Sequence, residues 1–273
     1  MAAEERSMLL DALISSGVDP SRMMPGTGCC SITETVDLTT YAVKQGCAGV
    51  LMLPPFYYKQ VSVEGLYHYF SEVVQRVGDS RLKIYLYHIP PVAIVGVTPK
   101  LIERLLKAYP NTIAGIKDSS DDWNNTKALL KAFAKNGFDV FVGSESFLLA
   151  NMRNGGVGTI SATANVNPAA IQKLYAAATA DVESPPSRQA TARLDLENQQ
   201  ERLNVVREVF SSMKFPSMIA ALKQAIAIYG NDPEWTRVRP PLVELTTEQA
   251  KLLAAELKAT GFEMPGIGAK AES

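Results

Sequence analysis

Apolar residues follow one repeating order along the chain as far as about residue 180. Short apolar runs, which predict buried strands, begin near residues 23, 49, 83, 112, 139 and 157. Between these runs apolar residues recur at helical spacing, and Gly46, Gly78 and Gly137 stand where the helices are expected to end. Because strict alternation of strands and helices produces a parallel sheet with right-handed crossovers, the pattern predicts an α/β fold.

The order changes after residue 180. Residues 181–188, with Pro185-Pro186, predict a loop, and apolar residues beyond it recur only at helical spacing. The helices predicted there lie over about 189–213, 217–229 and 247–260. We therefore divide the chain into a βα barrel part over residues 1–180, a C-terminal helical extension over 181–263 and a tail without periodicity over 264–273.

Six predicted strands fit either a complete doubly wound sheet or a (β/α)₈ barrel that lacks two strands. Gly26-Thr27-Gly28 is a partial match to a dinucleotide-binding turn, but the third glycine and the ribose-binding acid are absent. In a parallel barrel the active residues lie at the carboxyl ends of the strands. Polar or reactive groups follow every predicted strand here, namely Gly26-Thr27-Gly28, Pro55-Phe56-Tyr57-Tyr58, Tyr87-His88-Ile89-Pro90, Lys117-Asp118, Gly143-Ser144-Glu145 and Ser161-Ala162-Thr163-Ala164-Asn165. This pattern favours the barrel.

Composition and charge narrow the classes of partner. The 273 residues carry a net charge of −1, which gives no electrostatic footprint for nucleic acid or an anionic membrane. No apolar run approaches the length of a membrane span, and the first residues lack the pattern of a signal peptide. The three cysteines show no metal-binding spacing, and His68 and His88 are far apart. We expect buried, reduced thiols in the cytoplasm and no metal site.

Lys117 is the first candidate for chemistry. Ile113 and Ile116 lie between two turn signals, which predicts a short buried strand that ends at Lys117. Only the neutral amine of a lysine can attack a carbonyl, and burial favours that form, so the position suits imine chemistry. The alternative is a lysine at a strand end whose ammonium group reaches solvent.

Several motifs together resemble those of one family, the class I aldolases of the dihydrodipicolinate synthase and N-acetylneuraminate lyase group. The motifs are Leu53-Pro54-Pro55-Phe56-Tyr57-Tyr58, Glu64-Gly65-Leu66-Tyr67, Tyr87-His88-Ile89-Pro90, Gly115-Ile116-Lys117-Asp118-Ser119-Ser120, Gly158-Thr159-Ile160-Ser161 and Ala164-Asn165-Val166. The resemblance extends from about residue 1 to about residue 260. It implies a (β/α)₈ TIM barrel, a Schiff base with pyruvate or another 2-oxo acid, no cofactor, and a homo-oligomer that is a dimer or a tetramer.

The resemblance also implies roles for side chains at the strand ends. Lys117 would form the imine, and Tyr87 would relay protons beside it, a role that suits a hydroxyl able to donate and accept. Packing within the barrel is the alternative for Tyr87. Asp118 is interpreted as a hydrogen-bond acceptor or helix cap rather than a base. Glu145 can pair with a substrate hydroxyl or be solvated, and we favour a solvated Glu145.

Three further positions match residues that bind substrate in the family. Tyr58 resembles a tyrosine contributed across a subunit interface, although Tyr57 is a rival and stacking within the loop is the alternative. Gly143 and the backbone of Ile160 match positions that shape the imine pocket. Gly143 can equally be a turn glycine.

Two departures from the family pattern qualify the prediction. Val92 stands where dihydrodipicolinate synthases carry an arginine that holds a substrate carboxylate, and an apolar side chain cannot replace a guanidinium group. The family's first two strands and its carboxylate-binding Gly-Thr-Thr-Gly-Glu loop would precede Met1. We therefore expect six of eight strands here, and we expect residues 1–273 alone to fold poorly and lack activity. Tests of activity are accordingly designed for a form of the protein in which the carboxylate-binding loop is restored.

The sequence predicts a Schiff-base-forming lyase or aldolase acting on pyruvate or a related 2-oxo acid. Within enzymes, the alternatives are dihydrodipicolinate (4-hydroxy-tetrahydrodipicolinate) synthase proper and a sugar-acid dehydratase. From a different class, the alternative is a truncated, non-catalytic remnant that serves only as an oligomerisation or regulatory partner.

Overall fold

A computed structural model describes residues 1–183, 189–265 and 267 of the chain. In this structure the chain divides into two units, one formed by residues 1–143 and 154–157 and the other by residues 144–153 and those from 158 onward. Most of the predicted loop at 181–188 and of the predicted tail lies outside the described residues, whereas 181–183 continue a helix.

The first unit is built on a parallel sheet. Its strands are β1 (Val50–Met52), β2 (Ile84–His88), β3 (Ile113–Asp118) and β4 (Asp139–Val142). Each strand pairs with the strand before and after it in sequence, and all of these pairs are parallel. This sequential order is that of a barrel, whereas a doubly wound sheet reverses its strand order. The pairing of β2 with β3 places Tyr87 opposite Lys117 and His88 opposite Asp118.

Helices precede the first strand of the first unit and separate or follow its later strands. They are α1 (Ala3–Ser15), α2 (Ile32–Lys44), α3 (Val63–Val77), α4 (Pro90–Ala93), α5 (Pro99–Ala108) and α6 (Trp123–Phe133). Hydroxyl side chains cap several helix starts, since Ser31 accepts from the amide of Glu34 and Thr98 accepts from that of Leu101. One apolar core joins strands and helices, with Met52, Phe70, Leu86, Leu101 and Ile116 fully buried in it.

The segment 23–27, predicted as a strand, is extended but does not form a regular strand. A single parallel bridge joins Gly26 to Leu51, although the segment also accepts hydrogen bonds from Ala48 and Leu51. Pro25 has no N–H group to donate, and this interrupts the ladder. Among the described residues the structure therefore has five strands where six were predicted.

The second unit is mainly helical. It contains α7 (Leu148–Arg153), the short strand β5 (Gly158–Thr159), α8 (Pro168–Glu183), α9 (Gln189–Ser211), α10 (Met218–Gly230) and α11 (Thr247–Ala259). The three helices predicted beyond residue 188 are confirmed. Buried residues of α7, α8 and α9, such as Leu148, Leu174 and Leu203, share one apolar core. This shared core explains why the unit begins after Gly143, before the division predicted at residue 180.

The segment between β2 and α5, residues 89–97, has a conformation that the sequence pattern did not predict. After the short helix α4, Ile94 has a φ of 64° and a ψ of −41°. A positive φ is a steric outlier for a β-branched residue, because its side chain crowds the backbone. Ile94 is also exposed, so burial of its side chain does not offset this strain.

Ile94→Gly is expected to stabilise the protein by about 0.5–1 kcal/mol. Relief of the left-handed conformation is worth about 1–2 kcal/mol, and the added chain entropy of glycine costs about 0.5–1 kcal/mol. The matched control is Val92→Gly, because Val92 is also β-branched and exposed in the same segment but does not have a positive φ. The control is expected to lose about 0.5–1 kcal/mol. Urea unfolding measures both, and equal losses would contradict strain at Ile94.

Candidate active site

Lys117 and Tyr87 lie side by side at the carboxyl ends of adjacent strands. Lys117 Nζ donates a hydrogen bond to Tyr87 Oη at 3.1 Å and lies 4.3 Å from the centre of the tyrosine ring. Both side chains are half-buried. The hydroxyl of Tyr87 thus contacts the amine of Lys117. An amine with a phenol in hydrogen-bond contact is the arrangement that imine formation with proton relay needs.

Asp118 holds the backbone directly after Lys117. Its buried carboxylate accepts hydrogen bonds from the amide of Ser120 at 3.0 Å, from Asn125 Nδ2 at 3.0 Å and from Thr126 Oγ1 at 2.7 Å. These donors belong to the turn after β3 and to the first turns of α6. Asp118 is therefore a hydrogen-bond acceptor at the strand end, as the sequence predicted.

Gly143 packs directly against the turn that follows Lys117. Its amide donates to the carbonyl of Asp118 at 2.7 Å. A Cβ atom at this position would lie 1.9 Å from Ser119 Oγ and 2.9 Å from Ser119 Cα. Gly143 does not have a positive φ, so the glycine is required for this close approach and not for a left-handed turn. Its part in a substrate pocket stays a prediction.

Tyr57 and Tyr58 lie on the surface of the first unit. Their rings pack edge to face with centres 5.3 Å apart, and each side chain is about three-quarters exposed, at 75% and 76%. The next residue, Lys59, donates to the carbonyl of Phe56 and, at 3.5 Å, to that of Ala93 in α4. The structure therefore joins this loop to the segment after β2, and it does not distinguish Tyr58 from Tyr57 as the interface tyrosine.

Val92, the residue that replaces the arginine of the synthases, lies in α4 and is 73% exposed. The segment from Ile89 to Val97 that contains it has no charged side chain. This segment therefore offers no cationic side chain to a substrate carboxylate.

Ile160 belongs to the second unit, where it follows β5 and is half-buried. Near it the structure corrects the expectation of a solvated Glu145, which is only 1% exposed. The Glu145 carboxylate accepts hydrogen bonds from the hydroxyls of Ser161 and Thr163, and it forms an ion pair with Arg207 at 3.1 Å. These partners come from distant segments of the chain, which is why the sequence pattern around Glu145 did not reveal its burial.

The sequence analysis placed His88 in the strand-end motif Tyr87-His88-Ile89-Pro90 but assigned its side chain no role. Its Nδ1 accepts the buried amide of Val97 at 2.9 Å, and its backbone carbonyl accepts the amide of Ser119 at 2.7 Å. Burial lowers the pKa of His88, while the charge of Asp118 acts in the opposite direction. The sequence signal that could have indicated this contact is a histidine placed between a strand end and an apolar, uncharged segment.

Other features of the described residues bear on the class of protein. None of the helices in residues 1–183 and 189–265 is long and apolar enough to cross a membrane. The three cysteines are free thiols, but Cys30 is exposed and Cys29 and Cys47 are only half-buried, which corrects the expectation of buried thiols.

Comparison with known proteins agrees with the fold and the motifs. The model of the dihydrodipicolinate synthetase family matches residues 1–260. A DapA-like lyase from Chloroflexus aurantiacus, itself uncharacterized, is 30% identical over 256 residues, which cover 93% of this chain and 79% of that protein. The 4-hydroxy-tetrahydrodipicolinate synthase of Thermus thermophilus is 39% identical over 165 residues, 60% of this chain and 54% of that enzyme. That alignment therefore spans about half of the Thermus enzyme.

A solved structure shows the same similarity in three dimensions. YagE from Escherichia coli K12, a prophage protein of the dihydrodipicolinic acid synthase family in complex with pyruvate, superposes with a TM-score of 0.80. The sequences are 25% identical, and the match covers 96% of this chain and 82% of YagE.

Fold and matches together define an α/β enzyme with a parallel sheet, a lyase of the class I aldolase type. Since the family model spans almost the whole chain, the protein belongs to the dihydrodipicolinate synthetase family. The predicted α/β fold class and the resemblance are thereby confirmed.

Proposed function

We propose that Lys117 forms a Schiff base with the keto carbon of pyruvate or a related 2-oxo acid, and that the protein uses it as a lyase or aldolase. The observation that carries this proposal is the 3.1 Å hydrogen bond between Lys117 Nζ and Tyr87 Oη. The amine attacks the keto carbon, the carbonyl oxygen leaves as water, and a protonated imine forms. When a neighbouring C–C bond breaks, its electron pair moves into the imine and gives an enamine; formation of the bond is the reverse.

Tyr87 serves as the proton relay of this reaction. Its hydroxyl accepts a hydrogen bond from Lys117 Nζ and has a proton of its own to donate. It can therefore give a proton to the departing oxygen and later receive one from the substrate, without a second base at the strand end. From the resemblance, Gly143 and the backbone of Ile160 are proposed as substrate-binding positions.

The protein is proposed to act as a homo-oligomer, with Tyr58 at the contact between copies. Tyr57, Tyr58, Val92 and Ile94 are exposed apolar or aromatic side chains on two segments that Lys59 joins. Exposed apolar surface of this kind is typical of an interface between protein chains. Sedimentation velocity distinguishes a dimer or tetramer from a monomer. We also propose a cytoplasmic location, which suits three free cysteines.

Pyruvate and borohydride are expected to label one lysine, because borohydride reduces the imine to a stable secondary amine. Mass spectrometry should find a fixed mass added to the peptide that contains Lys117, and Lys117→Ala should abolish it. Lys59→Ala is the matched control, because Lys59 lies in the loop after β1 of the same sheet and its amine donates to the backbone carbonyls of Phe56 and Ala93. Labelling that persists in Lys117→Ala, or that disappears in Lys59→Ala, would contradict the assignment.

A 4-hydroxy-tetrahydrodipicolinate synthase is the second candidate, because the Thermus relative carries that name. Val92 argues against it, since the resemblance places there the arginine that holds a second carboxylate. Loss of a charge-assisted hydrogen bond costs about 1.5–3 kcal/mol. This corresponds to a reaction that is slower by roughly ten- to a hundredfold, or slightly more.

Aspartate semialdehyde is therefore expected to be a poor partner for pyruvate, and neutral or hydroxylated aldehydes better ones. Val92→Arg should improve the use of aspartate semialdehyde relative to a neutral aldehyde by about tenfold or more. Val92→Met adds a long side chain without a charge and should not improve the use of aspartate semialdehyde. Ratios of kcat/KM for the two aldehydes measure the effect. Efficient condensation with aspartate semialdehyde by the unaltered protein would favour the synthase.

A further inference from the structure

The segment from Ile89 to Val97 is attached to the fold unevenly. Ala93, Val95 and Val97 are buried, and Val95 and Val97 belong to the apolar core of the first unit. The segment contains only apolar residues and glycine, and two of its side chains, Val92 and Ile94, are more than half exposed. Its internal hydrogen bonds run from the amides of Val92, Ala93 and Ile94 to the carbonyls of Ile89 and Pro90. Because the positive φ of Ile94 is strained, core packing at Val95 and Val97 and contacts from outside the segment must together hold the observed conformation.

His88 is hydrogen-bonded to the far end of this segment. Its Nδ1 accepts the amide of Val97, a residue that is 4% exposed, at 2.9 Å. The ring also packs against Gly96, where a Cβ atom would lie 3.1 Å from His88 Cε1. The backbone of His88 is fixed in turn by the amide of Ser119, in the turn after Lys117. One residue thus connects the end of β2, the turn after β3 and the end of the segment.

We infer that His88, with Nδ1 unprotonated, is a positioning residue that holds the segment 89–97, and with it Val92, in the conformation that receives the second substrate. This inference rests on the proposed function. It concerns binding of the aldehyde and not formation of the imine, because the ring contacts the segment while Lys117 contacts Tyr87.

The hydrogen bond sets the protonation state of the ring. An imidazole that accepts at Nδ1 carries its proton on Nε2, and a doubly protonated ring cannot accept at all. The segment 89–97 presents no titratable side chain to the ring, and β3 presents Asp118 and Lys117 at its end. Burial lowers the pKa of His88 and outweighs the opposing charge of Asp118, which favours the accepting form.

Two substitutions at position 88 separate positioning from a merely structural role. In His88→Asn, the amide oxygen can replace Nδ1 as the acceptor for Val97, whereas His88→Leu has no acceptor. Loss of the hydrogen bond is expected to raise the KM for the aldehyde about tenfold in His88→Leu. Borohydride trapping of Lys117 with pyruvate should be unchanged, and His88→Asn should remain within about threefold of the original KM. His68→Leu, which alters an exposed histidine on α3, is the control.

Acidic pH provides a second readout. Because burial lowers the pKa of His88, the KM for the aldehyde in the unaltered protein should begin to rise only at a pH below the ordinary histidine pKa of about 6.5, while His88→Asn should show no such rise. Hydrogen exchange in the peptide that contains Val97 should accelerate in His88→Leu and not in His88→Asn. The exchange measurement does not depend on turnover.

The outcomes are distinguishable. Equal behaviour of His88→Asn and His88→Leu in both KM and exchange would overturn the inference, as would an unchanged KM in His88→Leu. If His88→Leu fails to fold, loss of the acidic rise in KM in His88→Asn supports the inference and its persistence overturns it. Failure of pyruvate to label the unaltered protein would instead contradict the proposed function, and the exchange of Val97 would then decide whether His88 holds the segment.

Discussion

Tyr87→Phe is expected to retain borohydride trapping at Lys117 but to lose about 10²- to 10⁴-fold in turnover. The amine stays in place, so an imine can still form slowly with water as the proton source. The phenylalanine ring cannot donate or accept a proton, and a positioned acid or base contributes about that factor. Single-turnover trapping and steady-state kinetics, measured on the same preparation, separate the two effects.

Tyr85→Phe is the matched control on the same strand. Tyr85 Oη donates to Asp139 Oδ2 at 2.9 Å, two residues before Tyr87 on β2. Burial, together with this carboxylate, raises the pKa of Tyr85 to about 12, so its hydroxyl stays protonated and acts as a donor. Loss of the Tyr85 hydroxyl should cost about 1 kcal/mol of stability and leave turnover nearly unchanged. A similar fall in turnover in both variants would mean that Tyr87 supports the fold and does not relay protons.

Gly143→Ala is expected to cost about 3 kcal/mol or more, at the upper end of the range for overpacking. The new methyl group would overlap Ser119 Oγ at 1.9 Å and approach the Ser119 Cα at 2.9 Å. Rotation of the serine side chain relieves only part of the clash, because the Cα atom is part of the backbone. The turn after Lys117 would have to move, so activity should fall together with stability. Urea unfolding and trapping measure the two effects.

A control and a partial rescue make this prediction specific. Gly65 lies in the first turn of α3, where a Cβ atom would meet Ser62 Oγ at an ordinary 3.5 Å. Gly65→Ala should therefore be neutral or stabilise the protein by up to about 1 kcal/mol. Adding Ser119→Gly to Gly143→Ala removes two of the three closest atoms and should recover part of the loss. If Gly143→Ala proves as stable as Gly65→Ala, that result would contradict the close packing described at Gly143.

Local periodicity was sufficient to predict most of the fold. Strands such as Ile113–Asp118 combine an apolar run with polar residues at both ends, and helices such as Thr247–Ala259 begin at a capping residue. The candidate pair was also predictable, because Lys117 and Tyr87 each end a strand and a parallel sheet brings such ends together. The prediction of a strand at 23–27 was wrong for a local reason, because a proline within the segment cannot donate a hydrogen bond to the strand ladder.

The remaining features depend on contacts between distant parts of the chain. The burial of Glu145 requires Arg207, which lies 62 residues away on α9. The role of His88 depends on how the segment after it returns to the strand end. The positive φ of Ile94 opposes the intrinsic preference of a β-branched residue, so no local rule predicts it.

The in-register pairing of β2 and β3 has a consequence for how this family can diversify. The spacing between amine and phenol is set by the backbone ladder, whose strands lie about 4.8 Å apart, and not by any loop. Residues 89–97 can therefore change in length, charge or shape without displacing Lys117 from Tyr87. Selection can retune the choice of aldehyde on the loop while the imine chemistry is inherited unchanged with the strands.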